Sequence, residues 1–517
     1  MSCLPRLAVI GLSLVISQSV FAAKTTEQLY LGHCAQCHGM DRLGEMGPAL
    51  LPENLKRLRK QSAFEVIKNG RAATQMPAHA KLLNDEQING LVDYIYTPLA
   101  AMPKWEMADI KKSRLVHFKP ESLDSKPAYK ADMMNLFIVV ELGDHHATLL
   151  DGDKFEPIHR FKTRFALHGG PKYSPDGRYV YFASRDGWVS KFDIYNLKTV
   201  MEVRAGINTR NIAVSGDGRH IMVANYLPHS LVVLDAESLE PRKVIPTKGA
   251  DGKTSRVSAV YTAEPRESFV AALKDIPEVW EISYADDPPP GFAGWEHSYN
   301  EEWGDLVKSE PFPIRRIMVK DYLDDFFFNQ EYNLLMGSSR EGEGQVVDLD
   351  VKRVVNKLDL TGMPHLGSGI TWQYKGRTVM ATPHLKKSEI SIIDMETWKT
   401  IKTIKTLGSG FFMRSHENSD YAWVDVFFGP NKDAVHVIDK KTLTIVKTLR
   451  PMPGKNAAHV EFDRYGKHAL LSVWDMEGAL IVYDAKTLKE IKRLPMKKPS
   501  GKYNIYNKLN RSSGTSH

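Results

Sequence analysis

The stretch YSPDGRYVYFASRDGWVSKFD, residues 173–193, decides the fold. Tyr173-Ser174-Pro175-Asp176-Gly177 is a turn signal, because Pro presets φ and Gly accepts a positive one, and the β-rich run after it ends in Phe192-Asp193. That ending recurs at Leu150-Asp151, Leu234-Asp235, Val347-Asp348, Ile393-Asp394, Ile438-Asp439 and Tyr483-Asp484, and Ser215-Gly216-Asp217-Gly218 repeats the opening turn. Successive Asp residues stand 42 apart from 151 to 235 and 45 or 46 apart from 348 to 484. The gap between Asp235 and Asp348 is too long for two units unless something is inserted. Trp280-Glu281 fills it as a degenerate member, and the segment from Asp286-Asp287-Pro288-Pro289-Pro290-Gly291 to about Pro313 accounts for the excess as a projecting loop. A period of roughly 40–45 residues with several short strands per unit marks a β-propeller, and eight units predict an eight-bladed ring. A sandwich or a solenoid also has short strands, but neither predicts this number of near-equal units.

Upstream of residue 131 the pattern is different. Cys34-Ala35-Gln36-Cys37-His38 places two thiols where each can add across a haem vinyl group, with the following imidazole held beneath the iron by the same helical turn. A zinc half-site lacks a second pair of ligands at suitable spacing, and a thioredoxin-type pair lacks a βαβ setting and any use for His38. Thr25-Thr26-Glu27 caps a first helix running into the motif, and Asn84-Asp85-Glu86-Gln87 is a capping box opening a last one, where Ile88, Leu91, Val92 and Ile95 form one apolar stripe. Between them stands Met76-Pro77. A thioether is a soft, weak iron ligand, so Met76 is the expected sixth ligand, with His79 and Met46 as alternatives.

Arg6, the apolar stretch Leu7 to Ile16 and Val20-Phe21-Ala22-Ala23 read as a signal peptide, interrupted too often by serine to be an anchoring helix, and nothing downstream is apolar enough to span a membrane. Of three cysteines, Cys3 leaves with that leader, so no disulfide framework remains. The expected organisation is a signal peptide over 1–22, a small all-α c-type cytochrome domain over 24–104, a proline-broken linker over 105–131 and an all-β propeller over 132–517, all in the periplasm. With 517 residues, 42 % hydrophobic content, a formal charge of +7 and interspersed signs, the chain has no long basic run, so nucleic acid is not an expected partner.

An exported c-type domain joined to an eight-unit propeller resembles the cytochrome cd1 nitrite reductase family, and within it the dihydro-haem d1 dehydrogenase branch. The resemblance rests on the haem motif, Phe165-Ala166-Leu167-His168, Met363-Pro364-His365-Leu366-Gly367 and Gly501-Lys502-Tyr503-Asn504-Ile505-Tyr506-Asn507. It implies a second, noncovalent macrocycle at the propeller centre, haem d1 or its dihydro precursor, with His168 as proximal iron ligand and His365 as distal ligand. Nitrite reductases of the family carry two distal histidines; Asp324 stands where the second falls. An ionised Asp repels nitrite rather than protonating it, which argues against nitrite reduction. The reaction the branch implies is oxidation of a propionate of dihydro-haem d1 to an acrylate, with His459 and Tyr503 handling protons. An imidazole is the better base; the phenol orients or relays. Arg185, Arg210 and Arg256 occupy comparable places in successive units and are expected to grip macrocycle carboxylates with their bidentate forks.

The resemblance also implies haem c as the electron exit, a periplasmic electron acceptor, and delivery of haem d1 to a cytochrome cd1 nitrite reductase. Two alternatives stand beside the dehydrogenase: a nitrite reductase with an altered distal pocket, and a carrier that delivers haem d1 without chemistry. A pure carrier has no use for the haem c domain. A docking propeller is the fourth reading, since fold alone does not assign function.

Overall fold

The computed structural model describes residues 24–45, 47–55, 58–71, 76–101, 103–164, 167–289, 292, 310–339 and 344–510. The expected leader with Cys3, the alternative ligand Met46, Phe165-Ala166 of the family motif and most of the projecting insertion lie outside them.

Among the described residues, eight antiparallel sheets make up the all-β part: seven of four strands and one of five. The first strands of the units, such as Asn208–Val214, Val257–Ala263 and Ala457–Phe462, are almost wholly buried, whereas outer strands such as Arg353–Leu358 and Thr444–Leu449 are largely exposed. This gradient is that of blades set radially around an axis, with the apolar core between successive blades. The last strand, Pro499–Asn504, pairs with Leu136–Glu141, bringing Tyr503 opposite Ile138. The chain end thus supplies the innermost strand of the first blade and joins both ends of the ring.

The repeated Asp has a local cause. In all seven units its carboxylate accepts the backbone N–H groups two and three residues on, folding the link between the third and fourth strands into one tight turn. Four residues after each Asp the backbone turns left-handed, at Phe155, Leu197, Leu239, Lys352, Trp398, Leu443 and Leu488, with φ from 54° to 60°. The fourth blade corrects the sequence reading in detail. Trp280 and Glu281 lie inside its third strand, Glu278–Ser283, and the residue in the Asp role is Ser283, whose hydroxyl accepts from Ala285 N at 3.2 Å. The fourth strand, Ile314–Met318, follows only after the insertion.

The helical part contains Thr26–His33, Ala35–His38, Lys60–Asn69 and Asp85–Ile95. Thr25 with Gln28 and Asn84 with Gln87 form reciprocal capping boxes. The stripe Ile88, Leu91, Val92 and Ile95 is buried against Leu29 and Tyr30 of the first helix. Residues 105–131 hold a helix, Met107–Ser113, and a strand, Leu115–Val116, that adds to the outer edge of the second blade. Helical part and propeller touch where Ala49 and Leu51 pack on Ile207 and Leu227, and where Arg204 donates to the Gly44 carbonyl at 3.2 Å.

Candidate functional site

His38 ends the short helix begun after Cys34 and is 8 % exposed. Its Nδ1 lies 2.8 Å from the Pro48 carbonyl, so Nδ1 carries the proton and Nε2 keeps its lone pair. Burial lowers the imidazole pKa, which keeps the ligand form neutral. A Cβ on Gly47 would sit 2.6 Å from His38 Cε1, so glycine lets the loop close over the ring. Cys34 and Cys37 are unpaired thiols in the same turn, and Met76 is part of the same apolar cluster as Cys34. His79 is buried nearby, its Nδ1 without a hydrogen-bond partner among the described residues. This donor set fits a haem attached through two thioethers with one imidazole ligand.

In the propeller, His168 precedes the second blade and His365 the sixth. They stand four blades apart in a ring of eight. Both imidazoles take one tautomer: His168 Nδ1 lies 2.6 Å from the Arg210 carbonyl, and His365 Nδ1 lies 2.6 Å from the Phe411 carbonyl. Each Nε2 is thereby left as a lone-pair donor. Burial lowers both pKa values, and the Arg210 guanidinium contributes to each.

Arg185 and Arg210 both donate to His168 Nε2, at 2.8 and 2.7 Å. Arg256 departs from the expectation of an open carboxylate grip. It is 3 % exposed and its fork already holds Asp275, with Nε 2.8 Å from Oδ2. Sequence reading missed the residue at the centre of this group. Tyr226 is flanked by Arg185, Arg256 and Lys274, whose charges stand 5.7, 5.4 and 5.2 Å from its ring centroid. Burial opposes ionisation, yet Arg210, Lys274 and Arg185 pull its phenol down to about 7. Lys274 also donates to Asp324 at 2.9 Å, so Asp324 is half of an ion pair.

His459 and Tyr503 are brought together, ring centroids 5.1 Å apart in an edge-on contact. His459 is 2 % exposed, and its Nδ1 has no partner among the described residues. Its backbone is left-handed, φ 56°, at a bulge in the inner strand, and its N–H donates to Asp425 at 3.2 Å. A non-glycine residue held there stores strain, and the strain aims the ring. Burial, then Lys502, Arg414 and Lys508, push its pKa well down, so the imidazole is neutral. Burial raises the Tyr503 phenol to about 12. Tyr503 is the more exposed of the two and lies against Gly170, two residues past His168.

Residues 131–293 and 302–508 match the family model described as "Cytochrome D1 heme domain", and residues 21–95 match "Cytochrome C oxidase, cbb3-type, subunit III". The chain is 53 % identical over 514 residues to the "Dihydro-heme d1 dehydrogenase" of Pseudomonas aeruginosa, covering 99 % of this chain and 100 % of that protein. It is 24 % identical over 565 residues to the "Nitrite reductase" of Stutzerimonas stutzeri, covering 96 % of each. A solved structure of "Dihydro-heme d1 dehydrogenase NirN in complex with DHE" superposes with a TM-score of 0.82 at 54 % identity, covering 94 % of this chain and 100 % of that one. On the extent of these matches, the chain belongs to the cytochrome D1 heme domain family, in the branch of the dihydro-haem d1 dehydrogenases.

Proposed function

We propose that this chain is a periplasmic oxidoreductase of haem d1 biosynthesis, which oxidises a propionate side chain of dihydro-haem d1 to an acrylate. The observation that carries the reading is the edge-on His459–Tyr503 pair, together with His168 and His365, each held through Nδ1 by a backbone carbonyl. The substrate iron is held by His168 Nε2, with His365 as distal ligand. Its arrival displaces Arg185 and Arg210 from His168 and releases both guanidinium groups toward the macrocycle's carboxylates; Arg256, anchored by Asp275, adds fixed positive charge.

Oxidation breaks two C–H bonds on adjacent saturated carbons, so two protons and two electrons leave. Tyr503, nearer the channel, stays protonated and relays; His459, neutral behind it, is the acceptor. Cys34, Cys37, His38 and Met76 hold the covalent haem in the domain over 24–104, and the strap over 105–131 fixes that domain to the propeller over 132–517. Haem c, bound there, supplies a one-electron acceptor, used twice per macrocycle. The loop carrying Pro48, which orients His38, packs through Ala49 on Ile207, three residues before Arg210, so residues that would hold the two macrocycles are joined through a short stretch of protein. A periplasmic electron acceptor and a cytochrome cd1 nitrite reductase receiving the finished cofactor complete the partners. Among the described residues no helix is long and apolar enough to cross a membrane.

The test is anaerobic incubation of the purified holoprotein with dihydro-haem d1, with mass spectrometry of the extracted macrocycle and a parallel nitrite assay. The reading requires loss of two hydrogens. Nitrite turnover with an unchanged macrocycle would establish the reductase instead, a reading that Asp324 disfavours because its carboxylate accepts from Lys274 where a second distal histidine would donate.

A further inference from the structure

Lys172 lies in the two-residue inner strand Lys172–Tyr173, four residues after His168. Among the described residues its ammonium forms no hydrogen bond and no ion pair; it stands 6.0 Å from the centroid of the Tyr261 ring. The other side of the channel is different: there Arg256 holds Asp275 and Lys274 holds Asp324. Burial and the Arg414 guanidinium pull the Lys172 ammonium down to about 8, while Asp325 opposes them. A lone ammonium inside a protein is destabilising unless an anion joins it.

The place where that anion would sit is defined by Tyr503. On one side of Lys172, a Cβ on Gly170 would lie 2.8 Å from Tyr503 Cε1; on the other, the Tyr173 hydroxyl donates to the Tyr503 carbonyl at 2.8 Å. The Lys508 ammonium lies 5.6 Å over the same ring and is close enough to Lys172 for the two to repel. Arg414, felt by Lys172, His459 and Tyr503 alike, is 3 % exposed, and its Nε lacks a hydrogen-bond partner among the described residues. Arg414 is ion-paired with Glu461 at 3.8 Å, whereas Lys172 has no ion pair among the described residues.

We propose that Lys172 binds the carboxylate of the one side chain that is oxidised, fixing its two saturated carbons beside Tyr503 and His459, while Arg185 and Arg210 take other carboxylates of the macrocycle. The inference rests on the dehydrogenase reading. The carboxylate itself is unchanged as –CH2–CH2–COO⁻ becomes –CH=CH–COO⁻; two protons pass to the Tyr503–His459 pair and water, and two electrons pass singly through the covalent haem to a periplasmic acceptor. Lys172 is thus a positioning residue, and its loss falls more on the rate than on binding.

The experiment uses the full-length holoprotein, dihydro-haem d1, and the same macrocycle methylated on the reacting propionate. Lys172→Met weakens binding of dihydro-haem d1 by about tenfold, the loss of one charge-assisted contact, and slows oxidation at saturation by about a hundredfold, the cost of a misplaced reacting group. Lys172→Arg restores most of both. Methylation weakens binding to the wild type but makes little further difference to Lys172→Met, because the contact is already gone. The melting temperature of Lys172→Met is no lower than that of the wild type, since a half-buried charge without an ion pair has been removed. Oxidation by Lys172→Met at the wild-type rate, an equal methylation penalty in both proteins, or a variant that melts lower would overturn the assignment. A wild type that binds dihydro-haem d1 without oxidising it would sink the dehydrogenase reading alone, and the methylation comparison would still decide Lys172.

Discussion

Replacing His459 separates its chemical role from its structural one. A positioned general base is worth roughly 100- to 10,000-fold in rate, about 3–5 kcal/mol of barrier, so His459→Ala and His459→Gly both reduce kcat for dihydro-haem d1 oxidation by that factor. Their stabilities differ in the unusual direction. The backbone at 459 is left-handed, which costs a non-glycine residue about 1–2 kcal/mol, so the glycine variant unfolds at higher denaturant than the alanine variant by about 1 kcal/mol. The pH dependence follows from burial and the Lys502, Arg414 and Lys508 charges, which hold the imidazole neutral far below its ordinary pKa. Rate at saturation is therefore flat from pH 6.5 upward, with no inflection near 6.5, until other groups titrate. Single-turnover absorbance and urea melts on the three proteins measure all of this. A rate that climbs through pH 6–7, or an alanine variant more stable than the glycine one, would refute the argument.

His168→Ala should abolish iron ligation in the channel, seen as loss of the low-spin spectrum of added dihydro-haem d1, while the c-type spectrum persists. The same imidazole, with His365 and His459, is neutral in the fold and protonated in the unfolded chain below pH 6.5, so these residues make stability fall as pH drops below that value and leave it unaffected above; a wild-type urea midpoint that rises on acidification from pH 6.5 to 5 would contradict this. Gly170→Ala puts a methyl group 2.8 Å from Tyr503 Cε1 at φ 69°, so it should shift Tyr503 and slow oxidation tenfold or more, by roughly the penalty of a misplaced group; unchanged kcat would separate Tyr503 from the chemistry. Asp394 is held at about 2, first by the Thr397 N–H and against burial, so its stabilising contribution is present above pH 4 and lost as pH falls through 2; Asp394→Ala should cost about 1–2 kcal/mol at neutral pH and little at pH 2, by urea melts.

The parts of the fold that were legible are those whose cause is local. The haem motif is contiguous because two thiols and an imidazole must meet one macrocycle. The blade repeat is visible because each Asp folds its own turn. Ser283 escaped because a hydroxyl does the same work with one bond to Ala285 instead of two, and the insertion after it stretches the spacing. Periodicity could not have singled out His168 and His365; they stood out through family motifs, and the tautomers that make them ligands depend on carbonyls 42 and 46 residues away. The Tyr226 cage and the Lys172 wall were illegible for the same reason. Their members come from different blades, and a lone Lys or Tyr in a strand resembles any surface residue until the ring closes. The commitment of Arg256 to Asp275, 19 residues on, is visible only in the folded geometry.

The most direct test of the central claim, that a macrocycle seated on His168 is oxidised with electrons leaving through the covalent haem, is an electron count. Anaerobic holoprotein is mixed with dihydro-haem d1 and an excess of an oxidised one-electron acceptor, and acceptor reduction is read against macrocycle converted. The account predicts two acceptor molecules reduced per acrylate formed, with the c-type absorption passing through its reduced form and no reduction in His168→Ala. Acrylate formation in which the covalent haem never changes oxidation state, or an equal yield from His168→Ala, would contradict it.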